Sequence, residues 1–502
     1  CTTVGPEFVT PDVPLNEQWQ TTNNEQFRPT AQDLVQWWQV FEDSTLNRLV
    51  EQAYLHNNNL KIAGLRVLEA RANLAIATGN QYPQTQALVG DAAAVEASES
   101  NANTAAGDLG FRQFSLVAAV SWELDFWGRF RRGIESADAA FLASIASFDQ
   151  VMVLVTAQVA DIYTVMRTTE EQIRITKENI ATQQRSYEIV EVLFENGESS
   201  ELDVIQARTL LLSTQATIPA LQTTLRQTRH ALSTLLGMPP SDLSALLDDT
   251  MRIPVIPEEI AVGVPADLLR QRPDVRQAEM AAMAQNAVVG LSQSNLYPSF
   301  SIGGTLGLAA SGSTNTTRTG QSGLDELFSG DSLTYSVGPS FVWPFLNYGR
   351  IKNNIRVQDA RLQQALIQYR ETVIQAAREV EDAMAAVTGI RQQDAILAQT
   401  VDAARRSTEL ALLRYKEGFA DYQRVLNAQQ ALFAQQGRYV ASKGNVVRNL
   451  ISLYRALGGG WQTRSNTDFV DAETRTIMEQ RTDWGDIIDI AVQENVPEKP
   501  SE

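Results

Sequence analysis

The sequence predicts a mixed α and β fold built as a tandem structural repeat. Each copy is expected to carry a pair of transmembrane β-strands and long coiled-coil α-helices. Three observations lead there. An aromatic motif closed by Gly-Arg occurs twice, as WELDFWGR at 122–129 and WPFLNYGR at 343–350. The segment before each motif alternates apolar with small polar residues, the signature of a half-exposed strand. The segment after each motif is long, charged and free of Pro, with apolar residues returning every seven positions.

The spacing between copies is regular. Trp122 and Trp343 lie 221 residues apart, and the same spacing links Arg185 to Arg406, Gly197 to Gly418 and Leu236 to Leu457. Tyr82-Pro83 and Tyr297-Pro298 are 215 apart, so the second copy holds six more residues between Tyr-Pro and Gly-Arg. Fixed-offset similarity of this kind is a duplication signal. It divides the chain into a linker at 1–30, a first repeat at 31–237, a joining segment at 238–265, a second repeat at 266–460 and a tail at 461–502.

Within each copy, strands are expected at about 84–98 and 111–122, then at about 299–309 and 332–343. Phe114, Leu116, Ala118, Val120 and Trp122 oppose Gln113, Ser115 and Ser121, and Tyr335, Val337, Phe341 and Trp343 oppose Thr334, Ser336, Gly338 and Ser340. Polar loops at Glu96–Gly110 and Ala309–Asp331 separate the strands. Tyr82, Trp122, Trp127, Tyr297, Trp343 and Tyr348 cluster where strands meet helices. A belt of such rings suits a membrane–water interface.

Long helices follow at about 128–196 and 349–417, with return helices at about 200–237 and 421–457. The first has a seven-residue column of Ile145, Met152, Val159, Met166, Ile173, Ile180, Tyr187 and Phe194. The second keeps it through Val373, Val380 and Val387 but places Asp394 and Thr408 in the seam. Gly197 and Gly418 are expected to end the helices and turn the chain back. Pro219 is expected to kink or interrupt the first return helix.

Composition excludes several classes. A net charge of −18 argues against nucleic-acid binding. The single cysteine, Cys1, stands at the position where bacterial lipoproteins are acylated, so a covalent diacylglycerol and N-acyl group are expected there. With His56 and His230 as the only histidines, no zinc cluster of Cys and His can be assembled. Gly458–Gly460 lack the Lys and Ser/Thr of a phosphate loop. No apolar helix of membrane-spanning length stands out, so a membrane crossing would use strands. Asp471–Glu502 is strongly acidic and reads as a solvated, partly ordered tail.

Four strands cannot close a barrel, and an open edge in lipid leaves backbone groups unpaired. The barrel must be shared between chains; two copies supply eight strands and three supply twelve.

Taken together, Cys1 in CTTVGPEF, the two Tyr-Pro hairpins, WELDFWGR, the tip glycines and LYRALGGGW at 453–461 resemble the outer-membrane factor (TolC-like) family. The resemblance is to its lipoprotein branch, which serves resistance–nodulation–division efflux pumps. It implies a homotrimer with a 12-stranded barrel, a 12-helix periplasmic α-barrel and an equatorial region. It also implies a non-enzymatic exit channel for drugs or other small toxic compounds. The implied partners are a periplasmic membrane-fusion adaptor, an inner-membrane pump and outer-membrane lipids.

Adaptor contact is then expected at the tips, through Asn196, Gly197, Glu198, Ser199, Glu417, Gly418, Phe419 and Ala420. Related channels narrow one or two turns beyond the second tip, which points here to Gln423, Asn427 and Gln430, with Asp203, Arg208 and Asp421 nearby. An acidic ring at Asn427 is absent. The alternatives are a poreless coiled-coil scaffold and a channel for protein secretion.

Overall fold

The computed structural model describes residues 2–16, 18–20, 27–28, 34–100, 109–241, 243–247, 252–257, 260–262, 269–313, 323–464 and 468–488. Cys1 therefore lies outside the described residues. The first half carries β1 (Phe27–Arg28), α1 (Ser44–His56), α2 (Asn58–Gly79), β2 (Thr85–Glu96), β3 (Gly110–Leu124), α3 (Arg129–Glu195), α4 (Glu201–Gln215) and α5 (Thr217–Leu235). The second carries β4 (Ile260–Ala261), α6 (Pro273–Ser294), β5 (Ser299–Ser313), β6 (Leu333–Val342), α7 (Arg350–Lys416), α8 (Tyr422–Ala456) and α9 (Ala472–Glu479). These elements fall into two compact units.

One unit comprises Cys1–Pro11, Glu69–Ala143 and Glu279–Gln368. Its centre is an antiparallel sheet in the order β2-β3-β5-β6. The two repeats join through β3 and β5, so each contributes one inner and one outer strand. Register places Leu116 opposite Leu308, Ala118 opposite Leu306 and Trp122 opposite Ile302. Leu306 in turn faces Tyr335, and Phe300 faces Phe341. Directly opposed residues share a face, so these side chains form one continuous apolar surface. The other face pairs Ser121 with Gly303, Thr305 with Ser336 and Asp91 with Ser115. A one-residue slip would exchange the two faces. β5 runs to Ser313, beyond the expected end near 309, because Ala309–Ser313 find partners in Ser115–Phe111.

The other unit comprises Asp12–Leu68, Ser144–Ala278 and Tyr369–Glu502. Its core gathers Trp37, Trp38 and Phe41 from a short 3₁₀ turn, Leu46 and Leu49 from α1, Val159 from α3, Val380 from α7 and Leu450 from α8. Trp37 stacks on Tyr454 with ring centroids 5.1 Å apart. β1 and β4 pair in parallel, tying residues before the first repeat to the inter-repeat segment.

Charges are buried beside this core. Arg167, 1% exposed, pairs with Glu170 at 2.9 Å, and Glu170 also meets Arg229 at 3.0 Å. Arg464 meets the fully buried Asp149 at 2.6 Å. Ions taken out of water persist only when paired in this way.

Several expectations change. The seven-residue column of α3 is buried through Met166, but Ile173, Ile180 and Tyr187 are only half-buried and Phe194 is exposed. The buried positions move to Thr169, Thr176, Gln183 and Val190. A straight helix drifts against a strict heptad, so the inward face changes along its length. There the contacts are polar: Asn179 donates to Gln436 (2.7 Å) and Gln429 to Ser186 (2.6 Å).

The first return helix is interrupted as Pro219 predicts: α4 ends at Gln215, four residues before the proline, which sits in the first turn of α5. Proline is tolerated there because those N–H groups lack helical partners. The described part of the expected tail, 471–488, is partly ordered and mostly exposed. Asp471 caps α9, and Met478 and Ile488 are buried; residues 489–502 lie outside the described set. α3 also contains a stretch apolar enough to cross a membrane by length and composition, but half of that stretch is buried within the protein.

Candidate functional site

Two places combine exposed apolar side chains with ordered polar groups: the strand-to-helix junctions in the first unit and the helical tips in the second.

At the first junction β3 ends and Asp125 turns back on the new helix. Its carboxylate accepts the N–H groups of Phe130 (3.3 Å) and Arg131 (3.1 Å), satisfying donors at the start of α3. Gly128 takes φ +78° and Gly349, its counterpart, +81°, a left-handed backbone that glycine adopts without steric cost. The Trp122 indole N–H donates to the Gln81 carbonyl (3.0 Å). The Trp343 indole N–H donates to that of Leu296 (3.1 Å). Each acceptor directly precedes a Tyr-Pro pair, so the duplication extends to individual hydrogen bonds. Trp127 stacks on Tyr297 at 4.6 Å and donates to the Pro298 carbonyl (2.9 Å).

Of the sequence-predicted ring residues, Trp127 and Tyr297 are brought together, and Trp343 meets Phe345 at 6.3 Å. Trp122, Tyr82 and Tyr348 have no ring partner among the described residues. A cleft of about 490 Å³ opens beside these groups, lined by Glu123, Trp127, Arg129, Tyr297 and Arg350 among others.

Sequence reasoning missed the N-terminal arm. Thr2 and Val4 donate to the Phe126 and Trp127 carbonyls, both at 3.1 Å. Arg132 donates to the Val4 carbonyl (3.1 Å). Gly5 lies so close to Gly290 that a side-chain carbon would collide with its backbone. Asp125 was missed as well, although a capping-type residue shortly before a helix start is a readable signal.

The tips repeat one turn. Gly197 donates to Phe194 (2.9 Å) and Glu198 to Leu193 (2.8 Å). Their counterparts, 221 residues on, are Gly418 to Tyr415 (3.0 Å) and Phe419 to Arg414 (2.8 Å). This is the Schellman closure of a helix C-terminus. Beneath the turns Val190, Ala207, Leu210, Tyr422, Val425 and Leu426 form a small core. Burial pushes the Tyr422 phenol up to about 12, helped by Tyr415 and Asp203. Asn196, Glu198, Glu417 and Phe419 are exposed, while Ser199 and Ala420 are half-buried.

The expected aperture residues divide. Gln423 donates to Asn427 (3.0 Å), both on the exposed face of α8 with Gln430. Asp203 instead closes a capping box with Ser200 at the start of α4. Asp421 pairs at 3.6 Å with Arg424, and Arg208 is exposed on α4.

A sheet apolar on one face, unpaired at both outer edges and continuous with long helical hairpins, defines the class: a membrane-barrel subunit with a helical extension. The chain belongs to the outer membrane efflux protein family, whose sequence model matches residues 49–238 and 264–459, one block per repeat. It is 30% identical to the cation efflux system protein CusC of Escherichia coli O6:H1, over 91% of this chain and 96% of that protein. It is 29% identical to the solvent efflux pump outer membrane protein SrpC of Pseudomonas putida, over 92% and 96%. The solved outer-membrane channel OprN superposes with a TM-score of 0.83 at 30% identity, covering 91% of this chain and 99% of that one. The protein is an outer-membrane efflux channel of Gram-negative bacteria, extending into the periplasm.

Proposed function

We propose that three copies form one pore, with the twelve strands of three four-stranded sheets closing the barrel and six helical hairpins forming the periplasmic tunnel. The observation that carries this reading is the sheet itself. Its apolar surface spans β3, β5 and β6 and reaches β2 at Leu88, yet among the described residues β2 and β6 leave unpaired edges, which lipid does not tolerate. Two copies would supply eight strands, and a barrel of that size fills with its own side chains.

In this reading the channel is passive and receives cargo from an inner-membrane pump through a periplasmic adaptor. The tips fit the adaptor because exposed Phe419 and Leu202 stand beside the charges of Glu198 and Glu417. Cargo is small toxic material; the relatives named for cation and solvent efflux span ions to apolar molecules. An acyl anchor on Cys1 is supported by Thr2, its neighbour in sequence, which is hydrogen-bonded beside the aromatic junction. Gln423, Asn427 and Gln430 form the aperture as a ring of amides.

Planar-bilayer recording of the purified protein, with native mass measured in the same detergent, tests the proposal. A three-chain species with single-channel conductance is expected. A folded species that never conducts would favour the scaffold reading. Charge reversal at Glu198 and Glu417 is expected to weaken adaptor capture.

A further inference from the structure

The two junctions should be equivalent, yet one is packed and the other is bare. In the first, Trp127 is half-buried and stacks on Tyr297 across the β3–β5 seam. The duplication equates Trp127 with Tyr348 and Tyr297 with Tyr82. Tyr348 follows β6 and Tyr82 precedes β2, the two strands at the free edges of the sheet. Tyr348 is 96% exposed and Tyr82 64% exposed. Tyr348 also sits at φ +48°, a left-handed backbone that bulky residues rarely adopt.

We infer that Tyr348 of one chain stacks on Tyr82 of the next copy, reproducing between chains the Trp127–Tyr297 contact made within one. This rests on the shared-barrel reading and adds the residue pair that locks each seam. Three arguments select a second copy as the occupant. The edge strands β6 and β2 are the repeat equivalents of β3 and β5, which do pair. The flanking Trp–carbonyl bonds are already identical in both copies. Alternation matches as well: Tyr335 and Val337 of β6 lie on the same apolar face as Leu88 of β2, so paired edges would keep that face unbroken. Six stacked pairs would then ring the trimer, three within chains and three between them.

The test uses the full-length trimer in detergent. Native mass is measured first; a protein found only as single chains would overturn the shared barrel and this inference with it. Benzoylphenylalanine is then placed at position 348 and activated by light. Two- and three-chain products are expected, with the adduct mapped to the segment around Tyr82 of another chain. A Tyr82→Cys, Tyr348→Cys double variant treated with a short bis-maleimide should give the same ladder, lost in either single variant. Trp127→Cys with Tyr297→Cys should link within one chain and give no ladder. If native mass shows a trimer but position 348 labels only its own chain, lipid or nothing, the pairing is wrong while the shared barrel stands.

Discussion

The two helical tips close with the same Schellman turn and then diverge at the next residue that matters. In the first, Ser200 and Asp203 form a reciprocal capping box, so the return helix starts with its donors satisfied. In the second, Asp421 holds the capping position but makes no side-chain cap, and it stands exposed beside Arg424. The first tip is therefore fixed by its own sequence, whereas the second leans on packing by Tyr415 and Tyr422, whose rings meet at 5.3 Å. The duplicated turn is followed by a side-chain cap in one copy and by none in the other. An opening aperture needs the uncapped kind, because moving elements come from the less stable parts of a fold.

The comparison can be broken in four ways. The largest effect is expected from Gln423→Ser with Asn427→Ser, which should raise single-channel conductance severalfold. The matching first-copy pair, Leu202→Ser with Gln206→Ser, should leave conductance unchanged. An equal response from both pairs would end the distinction between tips.

Next, Gly197→Ala and Gly418→Ala should each cost about 1–2 kcal/mol of local stability. Nothing crowds either position, so the two costs should match; hydrogen exchange of the tip amides measures them. Ser200→Ala should cost about 1 kcal/mol and speed exchange at Asp203 roughly fivefold. Asp421→Ala, which removes no cap, should change little.

The smallest effect is confined to the second tip. The folded Tyr422 phenol is held up to about 12, above the ordinary value of 10.0. Its contribution is complete below pH 10 and is lost as pH rises toward 12, because the unfolded chain releases the proton first. The loss should be about 0.4 kcal/mol at pH 10. Tyr422→Phe should remove this share and leave only that of the neighbouring Tyr415 phenol, which burial also holds up, read as tip exchange after correction for intrinsic rates.

Much of this was legible in the residues. Leu116, Val120 and Trp122 announce their common face by period two, and the duplicated Gly-Arg motifs place both strand-to-helix junctions. The interruption of the first return helix was legible from Pro219, though not its position at Ala216. Pro219 has no N–H to offer the carbonyl of Gln215 four residues back, so the old helix ends there and the proline falls in the first turn of the new one.

The buried charges were hidden for another reason. Arg167, Asp149 and Arg464 look like surface residues until residues 315 apart in sequence, such as Asp149 and Arg464, are brought together. The polar seam around Asn179 and Ser186 was obscured by extending one heptad column along a helix whose inward face drifts. At the candidate aperture the sequence indicated the stretch, but only the fold shows that Asp203 is engaged in capping a helix.

The N-terminal arm has a consequence for the order of assembly. Its bonds to Phe126, Trp127 and Arg132 join residues about 125 positions apart, with one recorded separation of 128. Contacts of such long range form only after the intervening chain is organised. Thr2 and Val4 should therefore be among the last residues to dock. Until β3 has turned into α3 there is no ledge of carbonyls for Thr2 and Val4 to grip. The arm then works as a latch that registers completion of the first junction.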